Sequence, residues 1–259
     1  MIIETLDPLQ LGILIIVGIV AGFLNVMAGG GSMLVLPIMV FMGIPGNVAN
    51  GTNRIAMLAQ NVTAATTFYK RGVSNFRLSI SLGLCALPGA LIGAYLGTQV
   101  DGKNFNIILA AVMIIVMAMM IFDSNDKGDK ESTGELKVSK NRFILGHFLM
   151  LFVGFWGGFI MAGVGFIMLA VMNKVMGIDL VSSNAHKVFI EIIFTVFALA
   201  IFASQLQLLW LAGLFLGLGN AIGGWFAANY QAEKGAGVVK KILYIVLTIF
   251  IIKLLFFSF

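Results

Sequence analysis

Charge is the scarcest property of this 259-residue chain. Its 16 Lys or Arg and 11 Asp or Glu make up 10% of the residues, while 60% are apolar and the mean hydropathy is +1.04. Soluble globular chains carry about 25% charged residues, so a water-covered surface is excluded. The scarcity is also uneven. No Asp, Glu, Lys or Arg occurs in the 46 residues between Asp7 and Arg54, the 41 between Glu191 and Glu233, or the 31 between Arg142 and Lys174. Each gap exceeds the roughly 20 residues that cross a bilayer. The composition specifies a polytopic membrane protein.

Cysteine is nearly absent. Cys85 stands alone in an apolar run, which excludes disulfides, Cys-ligated zinc and iron–sulfur centres and leaves it a packing residue. The two histidines, His147 and His186, lie too far apart in sequence for a haem or zinc pair. No HExxH, G-x-S-x-G, Walker A lysine or G-x-G-x-x-G after a strand is present, so neither an enzyme nor a cofactor is expected. The acidic start, Met1 to Pro8, lacks the basic n-region of a signal peptide, so the first apolar run is expected to be the first membrane element. The net charge of +5 comes from basic residues at the ends of apolar runs. That placement follows the positive-inside rule and excludes a nucleic-acid surface, which needs basic patches interleaved with aromatics. Fifteen Met and 22 Phe read as lipid-facing or packing residues, and His147 and Lys253 fall at run ends, where an interfacial role is expected.

What is present is a doubled pattern. Apolar runs near 9–28, 32–43, 48–69, 77–99 and 105–122 are followed by the only long polar loop, 123–142, with five acids and five bases. A second series follows near 143–162, 165–176, 181–203, 208–229 and 238–257. The two series match in residues as well as in hydropathy. Gly22-Phe23 and Ala28-Gly29-Gly30-Gly31 answer to Gly158-Phe159 and Ala162-Gly163-Val164-Gly165; Met42-Gly43-Ile44 answers to Met176-Gly177-Ile178. Asn50 and Asn184 stand seven residues past Gly43 and Gly177, and Gly89, Gly93 and Tyr95-Leu96 align with Gly219, Gly223 and Trp225-Phe226. The division is therefore 1–122 as a first transmembrane repeat, 123–142 as a cytoplasmic linker and 143–259 as a second repeat. Placing the basic loops (Lys70, Arg71 and Arg77; 123–142; Lys234, Lys240 and Lys241) in the cytoplasm makes 77–99 and its counterpart 208–229 run in opposite directions. The expected fold is an all-α membrane protein, an inverted-repeat helical bundle of about seven to ten membrane segments, two of them short re-entrant or broken helices.

The glycines predict where those breaks fall. Three successive glycines weaken a helix by about 1 kcal/mol each relative to Ala, and the stretch from Ser32 to Gly43 is too short to span. Unwound backbone inside a membrane must be buried in protein or line a cavity. A half-helix starting at Ser32 would aim free N–H groups and a positive dipole end at an anion there. Close helix packing is the rival reading of the same glycines.

Asn50, Asn53 and Arg54 share one helix face, and a charged group at membrane depth costs about 2.5 to 3.5 kcal/mol unless it faces a polar interior. The other repeat carries Asn184, His186, Lys187 and Glu191, with Lys187 and Glu191 spaced for an ion pair along the helix. The candidate substrate-binding set is Asn25, Gly29, Gly30, Gly31, Ser32, Asn50, Asn53, Arg54, Gly163, Gly165, Asn184 and Lys187, and the candidate proton-coupling groups are His186 and Glu191. Snorkelling of Arg54 to headgroups, Asn25 as interhelical glue and Glu191 as a plain countercharge to Lys187 are the structural alternatives.

These residues resemble the TauE/SafE sulfite exporter-like permeases. The resemblance rests on Gly22-Phe23 with Ala28 to Gly31, Leu36-Pro37, Gly43-Ile44-Pro45, Val48 to Asn53, Tyr69 to Gly72 and the second Gly-rich segment. It covers nearly the whole chain apart from the 123–142 loop. It implies a multi-pass permease of a bacterial or archaeal inner membrane that moves small sulfur-containing anions such as sulfite or organosulfonates, with export the expected direction. Asn50 to Arg54 is more polar than the family's common small-residue version, and Gly163-Val164-Gly165 lacks the middle glycine. The expected partners are a small anionic substrate and the lipid bilayer, with a homodimer the remaining candidate assembly. An anion channel, or a non-transporting intramembrane accessory protein, would draw on the same polar face. Saturable, gradient-driven accumulation excludes the first, and a stoichiometric co-purifying partner would mark the second.

Overall fold

The computed structural model describes residues 6–73, 76–123 and 139–234. Most of the polar linker and the last apolar run, 238–257, lie outside the described residues. Among the described residues nine α-helices follow in chain order: α1 (Pro8–Ala28), α2 (Ser32–Phe41), α3 (Gly46–Lys70), α4 (Phe76–Gln99), α5 (Gly102–Asp123), α6 (Lys140–Phe159), α7 (Val164–Ala170), α8 (Leu180–Gln205) and α9 (Trp210–Lys234). Among the described residues there is no strand. Five of these helices (α1, α4, α6, α8 and α9) are long and apolar enough to cross a membrane. The chain is an all-α multi-pass membrane protein.

Local signals set the ends. Asp7 caps α1 through a reciprocal pair, its carboxylate accepting the Gln10 N–H at 2.7 Å while Gln10 Oε1 accepts the Asp7 N–H at 3.0 Å. Asp179 caps α8 by accepting the Ser182 N–H at 2.9 Å. The breaks fall at matched places in the two halves. α1 stops at Gly29 (φ +84°) and α2 stops before Gly43 (φ +85°); α7 starts after Gly163 (φ +73°), continues as a π-turn (Val171–Val175) and stops before Gly177 (φ +72°). The spacing predicts the first half's break at its observed position. In the second half α6 ends at Phe159, three residues before the end of its apolar run, because Ile160 is extended (φ −143°).

Two glycine-based crossings join the halves. α1 packs along α9, with Gly18 against Leu216 and Gly22 against Asn220, while Gly219 and Gly223 meet the α1 backbone at Ile15 and Ile19. α4 packs along α6 in the same manner, Gly89 and Gly93 meeting Leu151 and Phe155, and Gly154 and Gly158 meeting Ala86 and Ala90. Small residues four apart let membrane helices approach backbone to backbone, where dispersion takes the place of the hydrophobic effect. In each crossing the first long helix of one half lies on the fourth helix of the other.

The contacts also fix direction. α1 and α9 run parallel, as do α4 and α6, since rising numbers meet rising numbers. α3 runs parallel to α9, with Gly213 on Ile55 and Arg71 Nη2 donating to Asn229 Oδ1 at 2.8 Å. α4 runs parallel to α8, with Ser79 on His186 and Gly83 on Ile193. α3 and α8 are antiparallel, Arg54 lying under Phe202 and Asn61 meeting Glu191. Thus α1, α3 and α9 run one way and α4, α6 and α8 the other, so α1, α3 and α4 oppose their counterparts α6, α8 and α9. The repeats are inverted.

Polarity is arranged inside out. Leu9, Ile16, Leu84, Ile92, Phe148, Phe152, Leu214 and Leu218 are exposed on the outside, while Asn25, Asn50, Asn53, Arg54, Asn61, Asn184, Lys187 and Glu191 are buried. α3 shows this most clearly. It is the least apolar of the long helices, and it avoids lipid by packing against α8 and α9.

Candidate functional site

The two helix breaks meet in the buried interior of the described residues. Gly29 and Gly165 touch so closely that a Cβ on either would overlap the backbone of the other. A helix that stops inside a membrane leaves carbonyls without partners, and lipid supplies none. Side chains from the opposite repeat meet the last carbonyls here, of which that of Asn25 also accepts the Gly29 N–H at 2.7 Å. From α8, Lys187 Nζ donates to the α1 carbonyls of Asn25 (2.6 Å) and Val26 (3.0 Å), and Asn184 Nδ2 reaches the carbonyl of Met27 at 3.5 Å. From α3, Arg54 Nη2 donates to the Gly158 carbonyl and Asn50 Nδ2 to that of Phe159 at 3.0 Å, while Asn50 Oδ1 accepts the Met161 N–H at 3.2 Å. A cation at the C-terminal end of a helix also meets the negative end of its dipole. Each half therefore clamps the broken helix of the other with one Asn and one cation.

The two cations then part company. Lys187 spends its third donor on Asn184 Oδ1 at 2.7 Å, so all three ammonium hydrogens have protein acceptors, and Glu191 stands one turn further along α8. The ammonium turns to the α1 carbonyls rather than along the helix to Glu191, whose Oε2 accepts from Asn61 Nδ2 at 2.9 Å. Arg54 is also 0% exposed, yet no described carboxylate pairs with it, and its Nε and Nη1 have no hydrogen-bond partner. Phe202 covers it, with the guanidinium carbon 4.5 Å from the ring centroid. A cation–π contact of this kind contributes about 2 kcal/mol when desolvated, less than the penalty of an unpaired buried ion.

The remaining candidates lie along the same seam. Asn53 Nδ2 donates to Ser32 Oγ at 3.0 Å, tying the Arg54 helix to the first residue of α2, and Asn53 Oδ1 is buried without a partner. Ser32 Oγ and Asn25 Nδ2 both point to Met57 Sδ, at 3.5 and 3.8 Å, so Asn25 lies between the Arg54 and Lys187 ends. Among the described residues the backbone N–H groups of Gly30, Gly31 and Ser32 have no partner. His186 stands apart, its Nδ1 2.8 Å from Ser79 Oγ on α4. The structure thus brings Asn25, Ser32, Asn50, Asn53, Arg54, Asn184 and Lys187 into one buried seam with the two glycine breaks and leaves His186 at its edge.

Four further residues belong to the seam: Gln60, Asn61, Thr195 and Phe202. Asn61 lies seven residues past Arg54, two turns along the same stripe of α3, so the spacing carried the signal. Phe202 gave none, being one of 22 phenylalanines.

The different pairing of the two cations has a measurable consequence. Lys187→Met leaves the Val26 carbonyl, Asn184 Oδ1 and Glu191 uncompensated in the interior and is expected to destabilise the fold by about 3 to 5 kcal/mol, the cost of breaking a buried charge arrangement from one side. Thermal melting of the detergent-purified variant checks this, and an unchanged midpoint would contradict the clamp assigned to Lys187.

The model of the family described as Sulfite exporter TauE/SafE matches residues 14–254. The chain is 29% identical over 245 residues to a probable membrane transporter protein, ORF9, of Sinorhizobium sp., covering 95% of this chain and 92% of that one. It is 25% identical over 235 residues to a probable membrane transporter protein of Haemophilus influenzae, covering 91% and 90%. It is 24% identical over 255 residues to the probable membrane transporter protein YfcA of Escherichia coli, covering 97% and 92%. No solved structure matches it. With a family match that spans both repeats and both glycine breaks, this chain belongs to the TauE/SafE sulfite exporter family of membrane transporters.

Proposed function

We propose that this protein is a secondary transporter that moves a small sulfur-containing anion, sulfite or an organosulfonate, across the cytoplasmic membrane of a bacterium or archaeon, with Arg54 as the charge that receives it. One observation carries the proposal: Arg54 is fully buried, lacks a countercharge among the described residues, and keeps two nitrogens without acceptors. An isolated ion in the interior is retained against a penalty of several kcal/mol only when something neutralises it. Symmetry sharpens the point. Lys187 has Glu191 four residues on, whereas the residue four past Arg54 is Leu58. The substrate anion takes the place of the carboxylate that α3 lacks. A planar guanidinium suits an oxoanion with several acceptor oxygens, and Asn53 with Ser32 adds neutral polar groups beside it.

The inverted repeats suit alternating access. Rocking one repeat against the other, with the clamps between the halves releasing in turn, would carry the Arg54 site from one face to the other. Lys70, Arg71 and Arg77 place the α3–α4 turn in the cytoplasm by the positive-inside rule, and export is the direction the family name gives.

Thermal stabilisation tests the substrate class. Detergent-purified protein is melted with sulfite, sulfate, sulfoacetate, taurine, thiosulfate and simple carboxylates. A ligand that binds only the folded state, at about 100 times its Kd, adds roughly 2.7 kcal/mol. A rise in melting point with a sulfur oxoanion is expected. A rise only with carboxylates or neutral solutes would overturn the substrate class.

A further inference from the structure

The polar seam does not end at Arg54. Two turns along α3, Asn61 meets Glu191, which is 0% exposed. Only one of its carboxylate oxygens is used: Oε2 accepts from Asn61, and Oε1 has no hydrogen-bond partner. Thr195, four residues on along α8, keeps a buried Oγ1 without a partner, and so does Gln60 Oε1, whose Nε2 donates to Asn61 Oδ1 at 3.1 Å. Unpartnered buried polar atoms are rare enough in a folded protein that a cluster of them calls for a ligand, a water or a proton.

We propose that Glu191 is the proton-binding group of this transporter, and that a proton on its Oε1 and an anion at Arg54 bind cooperatively. This rests on the anion reading of Arg54. The groups facing Glu191 decide for a proton over a metal cation. Lys187, on the same helix one turn back, presents a positive charge, while Asn61 on α3 and Asn25 on α1 both turn amide N–H donors toward the carboxylate. A sodium or other metal ion would find free oxygens on Glu191 and Thr195, but it would sit beside the Lys187 ammonium, and the described oxygens are fewer than a hard cation takes. A proton from solution needs one lone pair, and Oε1 offers it. Protonation cancels one negative charge while leaving the Asn61 bond in place. His186 is not in this cluster, being held to Ser79 on α4 with Asp179 as its charged neighbour.

The coupling has a definite sign. Arg54 and Lys187 carry two positive charges and Glu191 one negative, so protonation leaves the seam more positive and draws an anion in more strongly. Asn61 and Arg54 are seven residues apart on one helix, which sets the two sites about 10 Å apart. Across that distance at an effective dielectric of about 20, one charge changes anion affinity by roughly ten-fold. By linkage, a bound anion raises proton affinity by the same factor. The carrier therefore moves its anion together with a proton, and export runs down the anion's own gradient.

The probe is methanesulfonate, whose own charge stays fixed from mildly alkaline to mildly acidic pH. Its binding to purified protein is measured across that range in the wild type, Glu191→Gln and His186→Gln. The wild type and His186→Gln are expected to bind about ten-fold more tightly at acidic pH, and Glu191→Gln to bind tightly at all of them. Proton uptake on methanesulfonate addition, followed with a pH dye in weakly buffered wild-type protein, gives the same answer without relying on a variant that folds. Binding that is independent of pH and takes up no protons overturns the coupling while leaving the anion site intact. pH dependence that survives Glu191→Gln and disappears in His186→Gln moves the role to the histidine. Sodium-dependent binding with no proton uptake replaces the proton by a metal cation. No binding of any sulfur oxoanion, to wild type or variant, removes the anion reading on which this one rests.

Discussion

Replacing Arg54 with methionine is expected to leave a folded membrane protein that no longer binds an anion. The variant keeps a side chain of similar length in the space under Phe202 and removes a buried charge that has no countercharge among the described residues. Exchanging buried ions for apolar groups of like volume is often neutral or stabilising, by up to about 4 kcal/mol. One term opposes it: the Gly158 carbonyl loses its partner, at about 1 to 3 kcal/mol. The melting point of the ligand-free variant should therefore stay close to that of the wild type or rise, while the anion-dependent increase disappears. A purely structural Arg54 predicts the opposite, a large drop in stability. Set beside Lys187→Met, where a drop is expected, the pair of variants separates a charge held for the fold from a charge held for a ligand.

Gly165→Ala is expected to abolish assembly of the two repeats. The added methyl would overlap the Gly29 backbone, and Gly29 cannot retreat because the α1 carbonyls just before it are held by Lys187 and Asn184. Overpacking costs about 1 to 3 kcal/mol where side chains can turn aside, and here backbone meets backbone, so at least the upper figure is expected. Alanine is itself a good helix former, so propensity would favour the change and the loss must come from the contact. Gly12→Ala is the control, since nothing lies within 4 Å of its added methyl. Size-exclusion profiles and melting points of the two variants should differ sharply. Equal, wild-type behaviour would show that the two breaks do not depend on close approach.

The first break was legible because its cause is local: three glycines and a short apolar run leave the chain little choice near residue 30. The second was placed three residues late. Ile160, Met161 and Ala162 are apolar and carry no helix-stopping signal, and the turn there is held by Asn50 of the other repeat. Long-range partners of this kind leave no trace in the local sequence. The same holds for Lys187, whose i, i+4 spacing to Glu191 suggests an ion pair along the helix, whereas the carbonyls at the end of α1 are better acceptors for its ammonium. The inverted arrangement was legible from a handful of basic residues, because loop charge and helix direction are physically linked. Burial of Arg54 followed from its depth in an uncharged stretch. The spare nitrogens on it did not, since they depend on which acceptors α6 presents.

Transport of radiolabelled sulfite in proteoliposomes tests the anion-carrier reading most directly. Purified wild-type protein should give saturable, gradient-driven sulfite accumulation that excess unlabelled methanesulfonate competes away, and Arg54→Met, reconstituted to the same level, should give none. Equal accumulation by the wild type and Arg54→Met would contradict the site, and sulfite movement that never saturates would contradict a carrier.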